Sequence, residues 1–258
     1  MIIVGLSGGI ASGKSTVVRL LREQGIPLVD LDELARDVVE KGAPTLRRLE
    51  HAFGSCILNE DGTLNRAELG RIAFSDPART KELNRITHAA IRRRLAWILV
   101  RLWLRGTRRV VVDTPLLIEA GLYKWCADVV LVWASSESHQ FARMMRRDGA
   151  SKGLTEADAR ARLAAQHNLS AKLAYADIIV DNSVDADVVP SPHLRAQVGA
   201  LVKRWRREDS QPLHVVLWLL CWICPPFGLL WGFIMARLRN ARREQRLQVD
   251  RALHSKRE

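Results

Sequence analysis

The residues best equipped for chemistry stand near the start of the chain. From Gly8 to Ser15 the sequence reads glycine, four residues, glycine, lysine, serine, the spacing of a phosphate-binding loop. Gly8, Gly9 and Gly13 let successive backbone N–H groups converge on one point, where a polyphosphate sits at the positive end of the following helix. Lys14 adds a charge for the β and γ phosphates, and the Ser15 hydroxyl is placed to complete a magnesium shell. Such a loop does not choose among ATPases, GTPases and small-molecule kinases. A GTPase would also carry an Asn-Lys-x-Asp guanine reader and an Asp-x-x-Gly switch, and neither stands where it belongs.

Other charged groups fall at chemically useful places. Asp30 and Asp32, in "LVDLDELAR", close a predicted strand at the edge that faces the ligand crevice of an open parallel sheet. A carboxylate there can accept the proton of an attacking hydroxyl; equally, either Asp can simply cap the helix that follows. Asp113, after "RVVV", can hold magnesium through water or serve as a turn residue before Pro115. Arg143, Arg146 and Arg147 share one face of a predicted helix at i, i+3 and i+4. That face is either a solvated basic surface or a cluster matched to the spread charge of a phosphoryl group in transfer.

These residues require a scaffold of alternating strands and helices. Five short β-rich runs begin at Ile2, Pro27, Arg109, Asp128 and Asp177, separated by helical stretches. The pattern predicts an α/β fold with a parallel sheet, buried on both faces as the near-continuous Val/Ile runs demand. A long helical stretch, one helix or two, is predicted between an Asp76 cap and Gly106. Residues 35–105 are too many for a simple crossover and read as a mostly helical, acceptor-binding insertion. Prolines 190 and 192 mark an expected boundary, dividing a domain over residues 1–190 from a tail over 191–258.

Composition narrows the setting. An apolar content of 48% supplies a full core, and four scattered cysteines form no disulfide framework. The chain opens directly on its first strand, so no N-terminal targeting signal is expected. Most of the net charge of +12 belongs to residues 201–258, with twelve Lys/Arg against five Asp/Glu. No recognition module accompanies these charges, so nucleic acid is not expected as a partner. They flank "LHVVLWLLCWICPPFGLLWGFIMA", residues 213–236, an apolar run broken by Pro225, Pro226 and Gly228. Each half is too short to span a bilayer core of about 30 Å, so a shallow membrane hairpin is expected, with both basic flanks and the catalytic domain on the cytoplasmic side. An apolar hairpin packed on the domain itself is the alternative.

Six blocks in order, "VGLSGGIASGKST", "VDLDELAR", "LNRITHAAI", "VVDTPLLIEAGL", "QFARMMRRDG" and "AQHNLSAKLAYADIIVDNS", resemble dephospho-CoA kinase. The resemblance runs from about residue 1 to residue 183. It implies a P-loop kinase core with a five-stranded parallel sheet, a helical CoA-binding insertion and a lid, here assigned to residues 137–175. It also implies transfer of the γ-phosphate of ATP to the 3′-hydroxyl of dephospho-CoA, with ATP and magnesium as cofactors. Asp32 matches the family's catalytic base, and Ala11, Ser12, Gly13, Lys14, Ser15 and Thr16 match its ATP-binding stretch. Arg143 and Arg147 match lid arginines, and Glu119 is implied to line the acceptor cleft. His88 aligns in a block where Ala89 replaces the usual proline; on its own residues it is a helix-surface or core histidine. Arg36 and Arg66 are candidates for the CoA phosphates, and Asn182 closes the block that passes near adenine, its backbone expected to matter more than its side chain. The rivals are another small-molecule P-loop kinase, such as a nucleoside or nucleotide kinase, and a membrane-tethered ATP-binding scaffold without turnover.

Overall fold

In the computed structural model, which describes residues 1–134, 137–149, 153–164, 172–183 and 190–254, all five expected strands form. They are β1 (Ile2–Gly8), β2 (Leu28–Asp30), β3 (Arg109–Asp113), β4 (Asp128–Trp133) and β5 (Ile178–Asp181), in the order β2-β3-β1-β4-β5. β1 runs parallel to β3 and to β4, and β4 to β5. Val110, Val111, Val129, Val130, Leu131 and Val132 are all buried, as strands covered on both faces require. Helix α1 (Lys14–Glu23) lays Val17, Val18, Leu20 and Leu21 against this sheet.

The chain divides into two compact units, residues 29–106 and the remainder. The smaller contains α2 (Leu31–Asp37), α3 (Pro44–Phe53), α4 (Arg66–Phe74) and α5 (Pro77–Leu104). Its core gathers Leu49, Phe53, Ile57, Leu69 and Ala73, with Leu83 and Ile86 of α5 packed against them. The long helical stretch is one helix: Asp76 accepts a hydrogen bond from the Ala78 N–H at 2.8 Å, and Gly106, at φ +80°, follows its end.

In the larger unit, α6 (Glu137–Met144) passes into a π-helical turn over Met145–Gly149, and α7 (Glu156–Ala164) follows. Met144, Leu154, Ala159 and Leu163 are buried together with Ile10 and Ala11 packed against them. The lid assigned to 137–175 also takes in 150–152 and 165–171, which lie outside the described residues, as do 184–189 of the expected boundary.

The two prolines at that boundary turn out to open a core helix. Ser191 caps α8 (Pro192–Asp209) by accepting from the Leu194 N–H at 3.1 Å, and Pro192 takes the first turn, where its missing N–H costs nothing. Leu194, Val198, Leu201, Val202 and Trp205, at helical spacing, join the same core as α1. At the far end of α8, Asp209 takes the Arg109 guanidinium at 2.8 Å, and Arg109 also stacks over Trp205. The fold therefore does not divide at residue 190. Each such side chain contributes roughly 1.5–3 kcal/mol by burial, so α8 is a principal stabiliser of the sheet.

Beyond α8 the chain forms α9 (Pro212–Ile223) and α10 (Pro225–His254), meeting at Cys224. Gly228 lets them cross closely: a Cβ there would lie 3.0 Å from the Cys221 carbonyl oxygen. Among the described residues no helix is long and apolar enough to cross a membrane. The second arm is not half-length, because α10 continues without a break from its apolar start into the arginine-rich segment. There Arg243, 1% exposed, donates to Asp177 Oδ2 at 3.1 Å and to the carbonyls of Tyr123, Cys126 and Ala127. Arg246 donates to the other carboxylate oxygen at 2.6 Å. Burial alone would push the Asp177 carboxyl up, but these two guanidiniums hold it below its ordinary value. Arg108 stacks over Trp218 of α9, and Asn240 donates to the Lys124 carbonyl.

Candidate functional site

The loop between β1 and α1 is shaped by its glycines. Gly13 has φ +90° and caps α1 with no side-chain hydrogen bond, so the first amides of that helix remain open to an external acceptor. A Cβ at Gly13 would stand 2.1 Å from Asn182 Nδ2, and one at Gly8 would stand 2.7 Å from Ser12 Oγ. Ala11 holds φ +54°, the one positive-φ non-glycine among the described residues. The Ser12 hydroxyl is fully buried with no hydrogen-bond partner among the described residues. Open amides, a backbone too closely approached for side chains and a buried hydroxyl together make a cradle that fits a polyphosphate.

Charge is set beside this cradle. Lys14 Nζ lies 2.7 and 2.8 Å from the two carboxylate oxygens of Asp113, which is 2% exposed at the end of β3. Ser15, one residue on, is exposed, and Thr16 is half-buried. Among the described residues no three His, Cys, Asp or Glu side chains cluster as a metal cage. One hydroxyl and one carboxylate instead suit a magnesium ion that keeps waters and phosphate oxygens in its shell.

Asn182 is where the sequence expectation was too narrow. Its backbone N–H donates to the Trp133 carbonyl at 2.8 Å, and its side chain also donates to the Ser12 carbonyl at 2.9 Å. Helix α8 holds that strand end in place, because Gln197 accepts from the Asp181 N–H and donates to the Asp181 carbonyl. Gln140 of α6 donates to the Ile10 carbonyl at 3.0 Å, tying the helix before the arginines to the loop.

A second residue was missed altogether. Lys172, 5% exposed, pairs with Glu119 at 2.7 Å and donates to the Pro115 carbonyl at 3.1 Å. It fixes the segment after β3, to which Ser7 Oγ also donates at 3.2 Å through the same carbonyl. Nothing in its local sequence marks it, since its partners lie more than fifty residues away.

The arginines stand where α6 passes into the π-helical turn at Met145–Gly149. Arg143 is half-buried, and Arg146 and Arg147 are exposed. Arg147 forks onto Asp148, a buried carboxylate, at 2.8 and 3.1 Å.

Within the smaller unit, the choice between capping and catalysis at the two aspartates is divided between them. Asp30 Oδ1 accepts from the N–H groups of Asp32 and Glu33, so Asp30 is the cap. The Asp32 carboxylate is exposed in the first turn of α2 with no ion-pair or hydrogen-bond partner among the described residues. Arg36 on α2, Arg66 at the start of α4 and His88 on α5 are likewise exposed.

Comparisons with known proteins converge. The family model for dephospho-CoA kinase matches residues 2–187. A curated dephospho-CoA kinase of Shouchella clausii is 47% identical over 180 residues, 70% of this chain and 89% of that protein. One from Oryza sativa subsp. japonica is 44% identical over 187 residues, 72% of this chain and 79% of that protein. Among solved structures, TT1252 from Thermus thermophilus superposes with a TM-score of 0.65 at 32% identity, covering 79% of this chain and 97% of that one. A dephospho-CoA kinase from Campylobacter jejuni shares the fold, with a TM-score of 0.59 at 24% identity over 80% of this chain and 98% of that one.

Proposed function

From the premise that this chain belongs to the dephospho-CoA kinase family, with a P-loop kinase fold, we propose the residue roles and the membrane attachment set out below. The reaction is transfer of the γ-phosphate of ATP to the 3′-hydroxyl of dephospho-CoA, the final step of coenzyme A synthesis. A bond forms between the 3′-oxygen and the γ-phosphorus while the bridging β–γ bond breaks, leaving ADP. The observation that carries the ATP site is the cradle of open α1 amides beside the Lys14–Asp113 pair.

Gly8, Gly9, Ala11, Ser12, Gly13 and Thr16 hold the triphosphate through backbone and hydroxyl, with Asn182 bracing the loop from outside. Lys14 neutralises the β and γ oxygens and is shared with Asp113. Ser15 and Asp113 are the residues that would hold magnesium, which when bound draws charge from the phosphate oxygens. Asp32 takes the proton of the 3′-hydroxyl; its free carboxylate, relieved of capping by Asp30, supports that role. Arg143 and Arg147 spread the charge of the phosphoryl group in flight. Arg36, Arg66, His88 and Glu119 serve the acceptor, with Glu119 kept in position by Lys172.

An ADP-release assay tests the acceptor directly. Dephospho-CoA should be phosphorylated with adenosine and AMP inert, and preference for either of those would move the enzyme to the nucleoside or nucleotide kinases. Lys14→Ala is expected to weaken ATP binding and lower turnover together, because the ammonium serves ground state and transition state alike. Isothermal titration with ATP and steady-state rates would detect it; unchanged values for both would remove Lys14 from the site.

Residues 213–236 attach the enzyme to a membrane as a shallow hairpin, with the catalytic domain on the cytoplasmic side. Its support is the exposure of Leu213, Ile223, Leu230, Phe233 and Ile234, none of which joins the core around β1 and α1 among the described residues. Helix α9 has twelve residues, and the apolar start of α10 over 225–236 is equally long; each is about 18 Å at 1.5 Å per residue, enough to enter one leaflet.

A further inference from the structure

Helix α10 carries more arginines than its docking requires. Arg243 and Arg246 are taken up by Asp177. Arg239 and Arg242 have no carboxylate partner among the described residues, yet with Arg246 they line an open cleft of about 390 Å³ shared with Ala127, Asp128 and Asp177. Both acids in this cleft already face other cations: Asp177 receives two guanidiniums, and Asp128 lies 3.8 Å from Arg109. Two forked donors therefore remain for an external anion, and guanidiniums match phosphate oxygens particularly well.

The surroundings select the kind of anion. Ile234 and Leu238, on the same helix just before these arginines, are exposed, and the apolar start of α10 over 225–236 leads directly into the arginine segment. A soluble phosphate or a nucleic acid would satisfy the arginines and leave that apolar surface in water. A phospholipid satisfies both, because it joins a charged head and apolar chains in one molecule. We infer that Arg239 and Arg242 form a headgroup site for anionic phospholipid at the base of the hairpin, an inference that rests on the membrane attachment proposed above.

The test is sedimentation of the full chain with two kinds of vesicle, one of phosphatidylcholine alone and one in which roughly one lipid in four is phosphatidylglycerol. The hairpin should bind both, and the anionic vesicles more tightly. Arg239→Gln combined with Arg242→Gln should weaken binding to the anionic vesicles by about thirty-fold, as loss of two arginines at a charged surface does, and leave phosphatidylcholine binding unchanged. Retained kinase activity would show that the variant is folded. Equal binding of the unmodified chain to both vesicles, or an unaffected variant, overturns the headgroup site while the hairpin stands. Absence of binding to either vesicle overturns both. Full release from anionic vesicles by millimolar glycerol 3-phosphate would assign the cleft to a soluble anion and overturn the lipid.

Discussion

Replacing Asp32 by asparagine is expected to lower turnover on dephospho-CoA by about two orders of magnitude or more, with ATP affinity kept within a few-fold. The substitution is nearly isosteric, and Asp32 has no ion pair or side-chain hydrogen bond among the described residues to lose. Its backbone N–H still finds Asp30, so the start of α2 is preserved. A fall in rate would therefore report proton transfer and not folding. Single-turnover kinetics, with ATP binding followed separately, measure the two quantities. Undiminished single-turnover rates would take Asp32 out of the mechanism.

Arg243→Ala should cost about 3 kcal/mol of stability or more, the scale on which a buried ion pair loses one partner. The change also strips hydrogen bonds from the carbonyls of Tyr123, Cys126 and Ala127, which accept from no other α10 side chain among the described residues. Arg246 remains on Asp177 but is half exposed and cannot replace it. The effect carries its own pH signature. Because the Asp177 carboxyl is held below its ordinary value in the fold, its contribution is complete above the ordinary carboxylate range near pH 4 and fades as pH falls through the lowered value. Chemical denaturation should thus show the gap between the two proteins closing in acid. A gap that persists unchanged to the lowest pH would mean that Arg243 acts only by packing.

Much of the scaffold was legible because it is written in short-range pattern. Runs such as "RVVVD" and "DVVLVW" can only be strands buried on both faces, and the glycine spacing from Gly8 to Gly13 declares its own backbone geometry. Pro190 and Pro192 misled because a proline at a helix start and a proline in a linker look alike until the Ser191 cap and the apolar face from Leu194 to Trp205 are weighed together. Lys172 and the Asn182 side chain were hidden for a different reason. Their partners, Glu119 and Ser12, are distant in the chain and meet only when the sheet assembles.

The attachment points of α9 and α10 have one thing in common: each lies just before a strand begins. Arg108 precedes β3, the carbonyls from Tyr123 to Ala127 precede β4, and Asp177 precedes β5, whereas the phosphate loop leaves the other end of β1. Tail and phosphate loop thus lie at opposite poles of the same sheet. A protein moored by that tail would turn its reactive pole toward open water. ATP, dephospho-CoA and their products, all too charged to enter lipid, would come and go without passing the bilayer, so mooring would fix where the enzyme works without obstructing its traffic.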